Sequence, residues 1–309
     1  MSDSPDQAEL LRRAGDTIAE LRARLAVAEA HAREPIAIVG IGCRLPGGVD
    51  GPDALWALLE SGADARVEIP DERWPHDDVY DEDPETPGRI YTRFAHLIDE
   101  IDRFDAAFFG ISPREAAVMD PQQRLLLLCA WEALERAGIR PDELAGSPTG
   151  VFVGNCFHDY EGREIRLASP TDVDVYSATG KSPAVLSGRI SYLLGLTGPS
   201  LTTDTACSSS LMAAHLACAS LRRGECDLAI VGGANLIVDP AAMLSLSRAR
   251  MLAPDGRSKA FDASADGYGR GEGVVTMVLK RLSDAREDGD HIIATILGSA
   301  TNQDGASPG

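Results

Sequence analysis

Basic residues are in short supply. Lysine and arginine together number 29 against 48 aspartates and glutamates, a formal net charge of −19 over 309 residues. A chain this acidic has no general attraction for nucleic acid or for an anionic membrane surface, so neither is expected as a partner. Apolar runs of membrane-spanning length are missing as well. The longest, residues 125–131 and 228–238, are the size of core elements. Residues 1–13 have neither the basic start nor the apolar stretch of a signal peptide. Six cysteines (Cys43, Cys129, Cys156, Cys207, Cys218 and Cys226) are scattered without a CxxC pair, and no HExxH or paired Cys/His spacing occurs. That pattern argues against zinc and reads as reduced thiols in a cytoplasmic protein, with no metal or cofactor bound by the chain. Aromatic residues are only 5% of the chain, low-complexity tracts are lacking, and 44% of residues are hydrophobic. The composition is that of a globular protein of one large domain or two average ones.

Three segments are expected. Residues 1–33 form an N-terminal helix, in which Leu11, Ala14, Ile18, Leu21, Leu25, Ala28 and Ala32 alternate at three- and four-residue spacing. This is the a/d pattern of a coiled coil, and Arg24 at a g position can face Glu29 of a parallel partner. The competing reading is a solvated helix that packs on its own domain. Pro35 ends the helix, because it lacks an amide proton and restricts Glu34. Residues 34–288 alternate strand-length apolar runs with helical patterns. The runs 36–41 (IAIVGI), 150–154 (GVFVG), 227–231 (DLAIV), 273–279 (GVVTMVL) and 292–297 (IIATIL) are β-branched and nearly continuous. Such runs suit strands buried on both faces of a layered α/β fold. Asp120-Pro121-Gln122-Gln123 carries a helix-start signature, followed by a stripe of Leu127, Ala130, Trp131 and Leu134 and a stop at Gly138. The acidic, proline-broken stretch 71–87 reads as a solvated loop. Residues 289–309 read as the start of a further lobe, its first strand left without neighbours.

Several phosphate and nucleophile motifs fail on inspection. Gly40-Ile41-Gly42 follows a strand, but the third glycine of a dinucleotide fingerprint falls on Leu45. Gly180-Lys181-Ser182 ends like a P-loop, whose first glycine would be Val175. Gly110-Ile111-Ser112-Pro113-Arg114 has arginine where a nucleophile elbow needs its last glycine. The informative stretch is 198–211 (GPSLTTDTACSSSL). Residues 201–205 read as a strand, and from Ala206 the pattern becomes helical and alanine-rich, the composition of a helix buried on nearly all sides. Cys207 then falls in the first helical turn, where free amides and the macrodipole favour a thiolate and the strand-to-helix turn presents the sulfur. Against this stands the ordinary buried, inert cysteine, which is the reading adopted for the other five. No base is evident. His215 lies eight residues along the helix, about 12 Å away, and His158 follows the 150–154 strand in a loop that could lie near a site but reads more simply as exposed.

Six blocks occur in order: 34–48 (EPIAIVGIGCRLPGG), 104–114 (FDAAFFGISPR), 119–127 (MDPQQRLLL), 204–211 (DTACSSSL), 267–273 (GYGRGEG) and 302–306 (NQDGA). From Glu34 onward the chain closely resembles the β-ketoacyl synthase (ketosynthase) domain of modular type I polyketide synthases, and the segment before it resembles their N-terminal docking helix. The resemblance implies a thiolase-like fold, two α/β lobes forming a five-layered α/β/α/β/α core, of which this chain holds the first lobe. It places Cys207 on the acyl-accepting cysteine, which takes an acyl chain from the phosphopantetheine arm of an acyl carrier protein. Decarboxylative condensation with a carrier-bound malonyl-type extender follows, and the cysteine amide contributes to the oxyanion hole. The implied partners are the acyl carrier protein, a second copy of the chain and an upstream synthase tail.

The family's two catalytic histidines and a supporting lysine lie in second-lobe motifs, HGTGT-like and a lysine block ending in Gly-His. Neither occurs here. The chain is therefore expected to be a truncated product or fragment that cannot condense alone. A different reading makes it a non-catalytic dimerisation or docking fragment. A degradative thiolase acting on coenzyme A is disfavoured by the DTACSSS block and the docking-like helix.

Overall fold

The computed structural model describes residues 4–162 and 175–306. The helices are α1 (Ser4–Ala32), α2 (Pro52–Ser61), α3 (Pro113–Val118), α4 (Pro121–Arg136), α5 (Tyr176–Lys181), α6 (Val185–Leu194), α7 (Ser209–Arg222), α8 (Ala241–Arg248) and α9 (Leu282–Glu287). The strands are β1 (Ile36–Arg44), β2 (Val67–Glu68), β3 (Phe94–Ala95), β4 (Gly150–Gly154), β5 (Ser200–Thr203), β6 (Leu228–Asn235), β7 (Gly273–Arg281) and β8 (Ala294–Ile296). One mixed sheet of order β5-β4-β6-β7-β1-β8 forms the centre, and β2 and β3 make a small second sheet. β4 runs parallel to both β5 and β6, whereas β7 is antiparallel to β6 and β1.

Alternate side chains of each central strand go to opposite faces, which explains the unbroken apolar runs. Val151, Val153, Leu228 and Ile230 join one cluster with Leu125, Leu126, Leu127 and Leu134 of α4 and Leu186 and Ile190 of α6. Phe152, Ala229 and Val231 join another with Ala213, Ala217, Cys218 and Leu221 of α7. The result is helix, sheet and helix in three layers. The Gly40-Ile41-Gly42 motif serves this packing. A Cβ on Gly40 would sit 2.1 Å from the Ala133 carbonyl oxygen, and one on Gly42 2.2 Å from that of Cys129, both on α4.

Asp120 caps α4 as its sequence predicts, its Oδ1 accepting from the Gln122 amide at 2.8 Å, and Pro121 occupies the first helical position. Three expectations change. The stretch 71–87 is not wholly solvated, because Trp74 and His76 are buried within it and Trp74 packs with Ile90 and Tyr91. The strand in 292–297 is not without a neighbour, since β8 pairs antiparallel with β1 at the sheet edge. The helix after Cys207 is not buried on nearly all sides: Leu211 on its outer face is 75% exposed.

α1 carries its predicted apolar stripe into solvent, with Leu11, Ile18, Leu21 and Leu25 all more than half exposed. Among the described residues, no helix is long and apolar enough to cross a membrane.

Candidate functional site

Strand β5 ends at Thr203, and five residues reverse the chain into α7. Asp204 starts the turn by accepting the Ala206 amide on Oδ1 at 2.8 Å. Ala206 then adopts a left-handed conformation, φ +54, a strained geometry for a residue with a Cβ. Two serine hydroxyls hold it there. Ser209 Oγ accepts from the Thr205 amide at 2.9 Å and donates to the Ala206 carbonyl at 2.6 Å. Ser208 Oγ donates to the Thr205 carbonyl at 2.8 Å. Cys207 sits between these clamps, exposed.

Cys207 is therefore not in the first helical turn. The helix starts at Ser209 with Ser208 as its cap residue. The cause is local: the left-handed Ala206 and the serine-to-backbone bonds keep residues 205–208 in a turn, a competition that short hydroxyl side chains commonly win. The first turn of α7 presses against the sheet because β4 ends in glycine. A Cβ on Gly154 would lie 2.3 Å from the Ser210 amide nitrogen.

The turn opens onto a cavity of about 500 Å³. Its walls are the end of β4 with Cys156 and Phe157, the first turns of α7 with Leu211 and Ala214, the end of β6, and the segment 270–273 leading into β7. Leu211, Ala214, Val231, Val275 and Met277 make much of this wall apolar. The opposite side is polar and fixed. Asn155 donates through Nδ2 to Gln122 Oε1 at 2.9 Å and to the Ala234 carbonyl at 3.0 Å. The buried Glu272 carboxylate takes two bonds from Arg73, at 2.8 and 3.0 Å, and one from each of the Ile98 and Ile237 amides, at 2.7 Å. Burial nevertheless pushes the Glu272 carboxyl above its ordinary range. Arg270, also buried, stacks over the Phe157 ring at 4.5 Å. Nearby Asp159 is pushed up to about 6 by burial, against the downward pull of Arg270.

The structure brings neither candidate histidine into this cavity. His215 is half-buried on α7, its Nδ1 2.9 Å from Ser299 Oγ. His158 is half-buried rather than exposed, just beyond Phe157. Among the described residues no histidine lines the cavity, and no cluster of three His, Cys, Asp or Glu side chains is placed to hold a metal.

An exposed cysteine on a strained strand-to-helix turn, above a sheet of order 5-4-6-7-1 closed by β8, can be set beside known proteins. The family profile described as "Beta-ketoacyl synthase, N-terminal domain" matches residues 33–285. The chain belongs to the β-ketoacyl synthase family.

As a ketosynthase chain it has close relatives among polyketide synthases. It is 53% identical over 286 residues to a phenolphthiocerol/phthiocerol polyketide synthase of Mycobacterium tuberculosis, covering 93% of this chain and 18% of that protein. It is 51% identical over 302 residues to the pikromycin polyketide synthase component PikAII of Streptomyces venezuelae, covering 97% of this chain and 8% of that protein. The oxazolomycin ketosynthase domain OzmH KS7 of Streptomyces albus superposes with a TM-score of 0.84 at 38% identity, covering 89% of this chain and 48% of that one. The module 6 ketosynthase of the Bacillus subtilis bacillaene synthase superposes at 0.79 with 39% identity, over 89% and 45%. The architecture is accordingly the thiolase-like ketosynthase fold. The chain spans less than a fifth of these curated relatives and less than half of these solved ketosynthase chains.

Sequence reasoning missed Asn155, Cys156, Arg270 and Glu272 as residues lining the cavity beside Cys207. Arg270 and Glu272 lay inside the GYGRGEG block, a buried-charge signal within an otherwise glycine-rich run. Asn155 and Cys156 follow β4 and carry no local signal.

Proposed function

We propose that Cys207 is the acyl-accepting nucleophile of a polyketide-synthase ketosynthase. The observation that carries this reading is its placement, an exposed thiol held rigidly on a strained turn and opening onto an apolar-walled cavity. Strand-to-helix turns of this kind present a nucleophile while fixing its backbone. In the proposed step the Cys207 sulfur attacks the thioester carbonyl of an acyl chain on the phosphopantetheine arm of an acyl carrier protein. The carrier thiol leaves with the proton, and the acyl group stays as a Cys207 thioester. The apolar wall formed by Leu211, Ala214 and Met277 then shelters the chain.

Condensation is the second half-reaction: a malonyl-type extender loses CO₂ and its carbanion forms the new carbon–carbon bond to the acyl carbon. We assign acyl loading to the residues of this cavity, and condensation further requires groups that polarise the extender carbonyl and drive its decarboxylation. Incubation with a short acyl thioester should add one acyl mass to the chain, and Cys207→Ala should abolish the adduct. An adduct that persists in Cys207→Ala would overturn the assignment.

A second reading rests on α1, whose leucine and isoleucine stripe is solvent-exposed. We propose that this stripe pairs with a second copy or with the tail of an upstream synthase.

A further inference from the structure

Two thiols, not one, line the cavity. Cys156 and Cys207 are both free, and both form part of the same 500 Å³ space. The remaining four cysteines are buried in the packed layers. The path of the chain explains the juxtaposition. Strands β4 and β5 run parallel with Gly154 opposite Thr203, and the Asn155 amide still donates to the Thr203 carbonyl at 3.1 Å. Neighbouring strands lie about 4.8 Å apart, so Cys156 emerges beside residues 204–205 as the chain turns toward Cys207. Gly154, two residues earlier, touches the backbone of Ser209 and Ser210. The segment carrying Cys156 thus passes directly under the turn that carries Cys207.

The two thiols differ in access. Cys207 is exposed, whereas Cys156 is half-buried. Burial, together with the negative charge of Asp204 and of Cys207 itself, pushes the Cys156 thiol up, so Cys156 is the poorer target for an oxidant arriving from solvent.

We infer that Cys207 and Cys156 form a reversible redox pair, in which a hydroperoxide oxidises Cys207 and Cys156 resolves it into an intramolecular disulfide. In the first step the Cys207 thiolate attacks the peroxide oxygen, giving the sulfenic acid and releasing hydroxide, or water once protonated. In the second, the Cys156 sulfur attacks the sulfenic sulfur, the S–S bond forms and water leaves. One peroxide is reduced by two electrons and two thiols are oxidised to one disulfide. A dithiol reductant restores both thiols by exchange. The consequence is protection: a sulfenic acid trapped as a disulfide does not proceed to the irreversible sulfinic acid. While the disulfide stands, Cys207 cannot accept an acyl group.

The test uses the full chain, hydrogen peroxide as oxidant, alkylation under denaturing conditions and peptide mapping by mass spectrometry. The native chain should lose two hydrogens, yield a linked Cys156–Cys207 peptide and regain both thiols with dithiothreitol. Cys156→Ser and Cys156→Ala should instead carry two added oxygens on Cys207 that dithiothreitol does not remove. In Cys207→Ser, oxidation of Cys156 should slow at least about tenfold, as expected for its less exposed thiol. Sulfinic acid accumulating on Cys207 equally in the native chain and the Cys156 variants, or Cys207 linked to another cysteine, would overturn the pair. Should the variants misfold, the linked peptide in the native chain decides alone, and its absence refutes the inference. The map reads thiols rather than acyl groups, so it fails independently of the acyl-transfer assignment.

Discussion

The two faces of the central sheet are finished differently. On one, α4 buries ten of its sixteen residues, among them Leu125, Leu126, Leu127 and Leu134, and glycines at 40 and 42 let its backbone touch β1. On the other, α7 contacts the sheet through mostly small residues, Ala213, Ala217 and Cys218, with Leu221 near its end, while its outer side stays open around Leu211 and the Cys207 cavity. Large aliphatic side chains close the first face to water. Small ones on the second leave a helix that supports a turn without filling the space beside it. The proposed acyl-accepting thiol lies on the open face, and the closed face buries the larger aliphatic side chains of α4.

Paired truncations test that division most strongly. Leu126→Ala, at a fully buried position of α4, should cost about 2–5 kcal/mol. Leu211→Ala, on the open side of α7, should cost within about 0.5 kcal/mol while altering acyl loading. Equal losses in urea unfolding would erase the distinction.

Charge sharpens it next. Asp159 is pushed up to about 6 by burial, whereas an unfolded aspartate titrates near 3.9. Its folded state binds the extra proton between those values, so its burial costs stability fully above pH 6, and the cost fades as pH falls toward 4. Asp159→Asn should therefore raise stability by about 1–3 kcal/mol at pH 8, and the gain should vanish near pH 4. His76 acts in the opposite sense. Burial lowers its pKa, so below about pH 6.5 the unfolded chain takes up the proton first and stability falls. His76→Phe should flatten that acid limb of a thermal-melt series.

A smaller effect belongs to the turn. Ala206 holds φ +54, a geometry glycine adopts freely. Ala206→Gly should change stability by less than about 1 kcal/mol, the relieved strain offsetting the entropy gained by the unfolded chain. Ala206→Val should destabilise more and slow acylation. The smallest expected effect is on α1: Leu21→Asp should leave the unfolding midpoint unchanged and lower the sedimentation coefficient if the exposed stripe is a dimer seam. An unchanged coefficient counts against the seam.

The sheet was legible because strands buried on both faces must be apolar throughout, and such runs stand out at 36–41, 150–154 and 273–279. Asp120 and Pro121 announced α4 for equally local reasons. Cys207 was legible from its block, but its placement was not. Ser208 and Ser209 bind the backbone of the turn and push the start of α7 beyond it, an outcome decided between two local alternatives that sequence reading could not separate. Trp74 and His76 were hidden in an acidic stretch, because Trp74 is buried by clustering with Ile90 and Tyr91 and His76 packs beside the Trp74 and Tyr80 rings. Cys156, Arg270 and Glu272 come to line the Cys207 cavity only because the sheet brings the ends of β4 and β6 and the segment before β7 to one place, and no spacing rule reveals a site assembled from segments so far apart in the chain.

The most direct measurement is a map of thiol reactivity across the six cysteines. The folded chain, treated with limiting iodoacetamide and digested, should carry the label first on Cys207, more slowly on Cys156 and negligibly on Cys43, Cys129, Cys218 and Cys226. Prior incubation with a short acyl thioester should protect Cys207 from labelling. Comparable labelling of the buried four, or a Cys207 that the thioester fails to protect, would contradict the account.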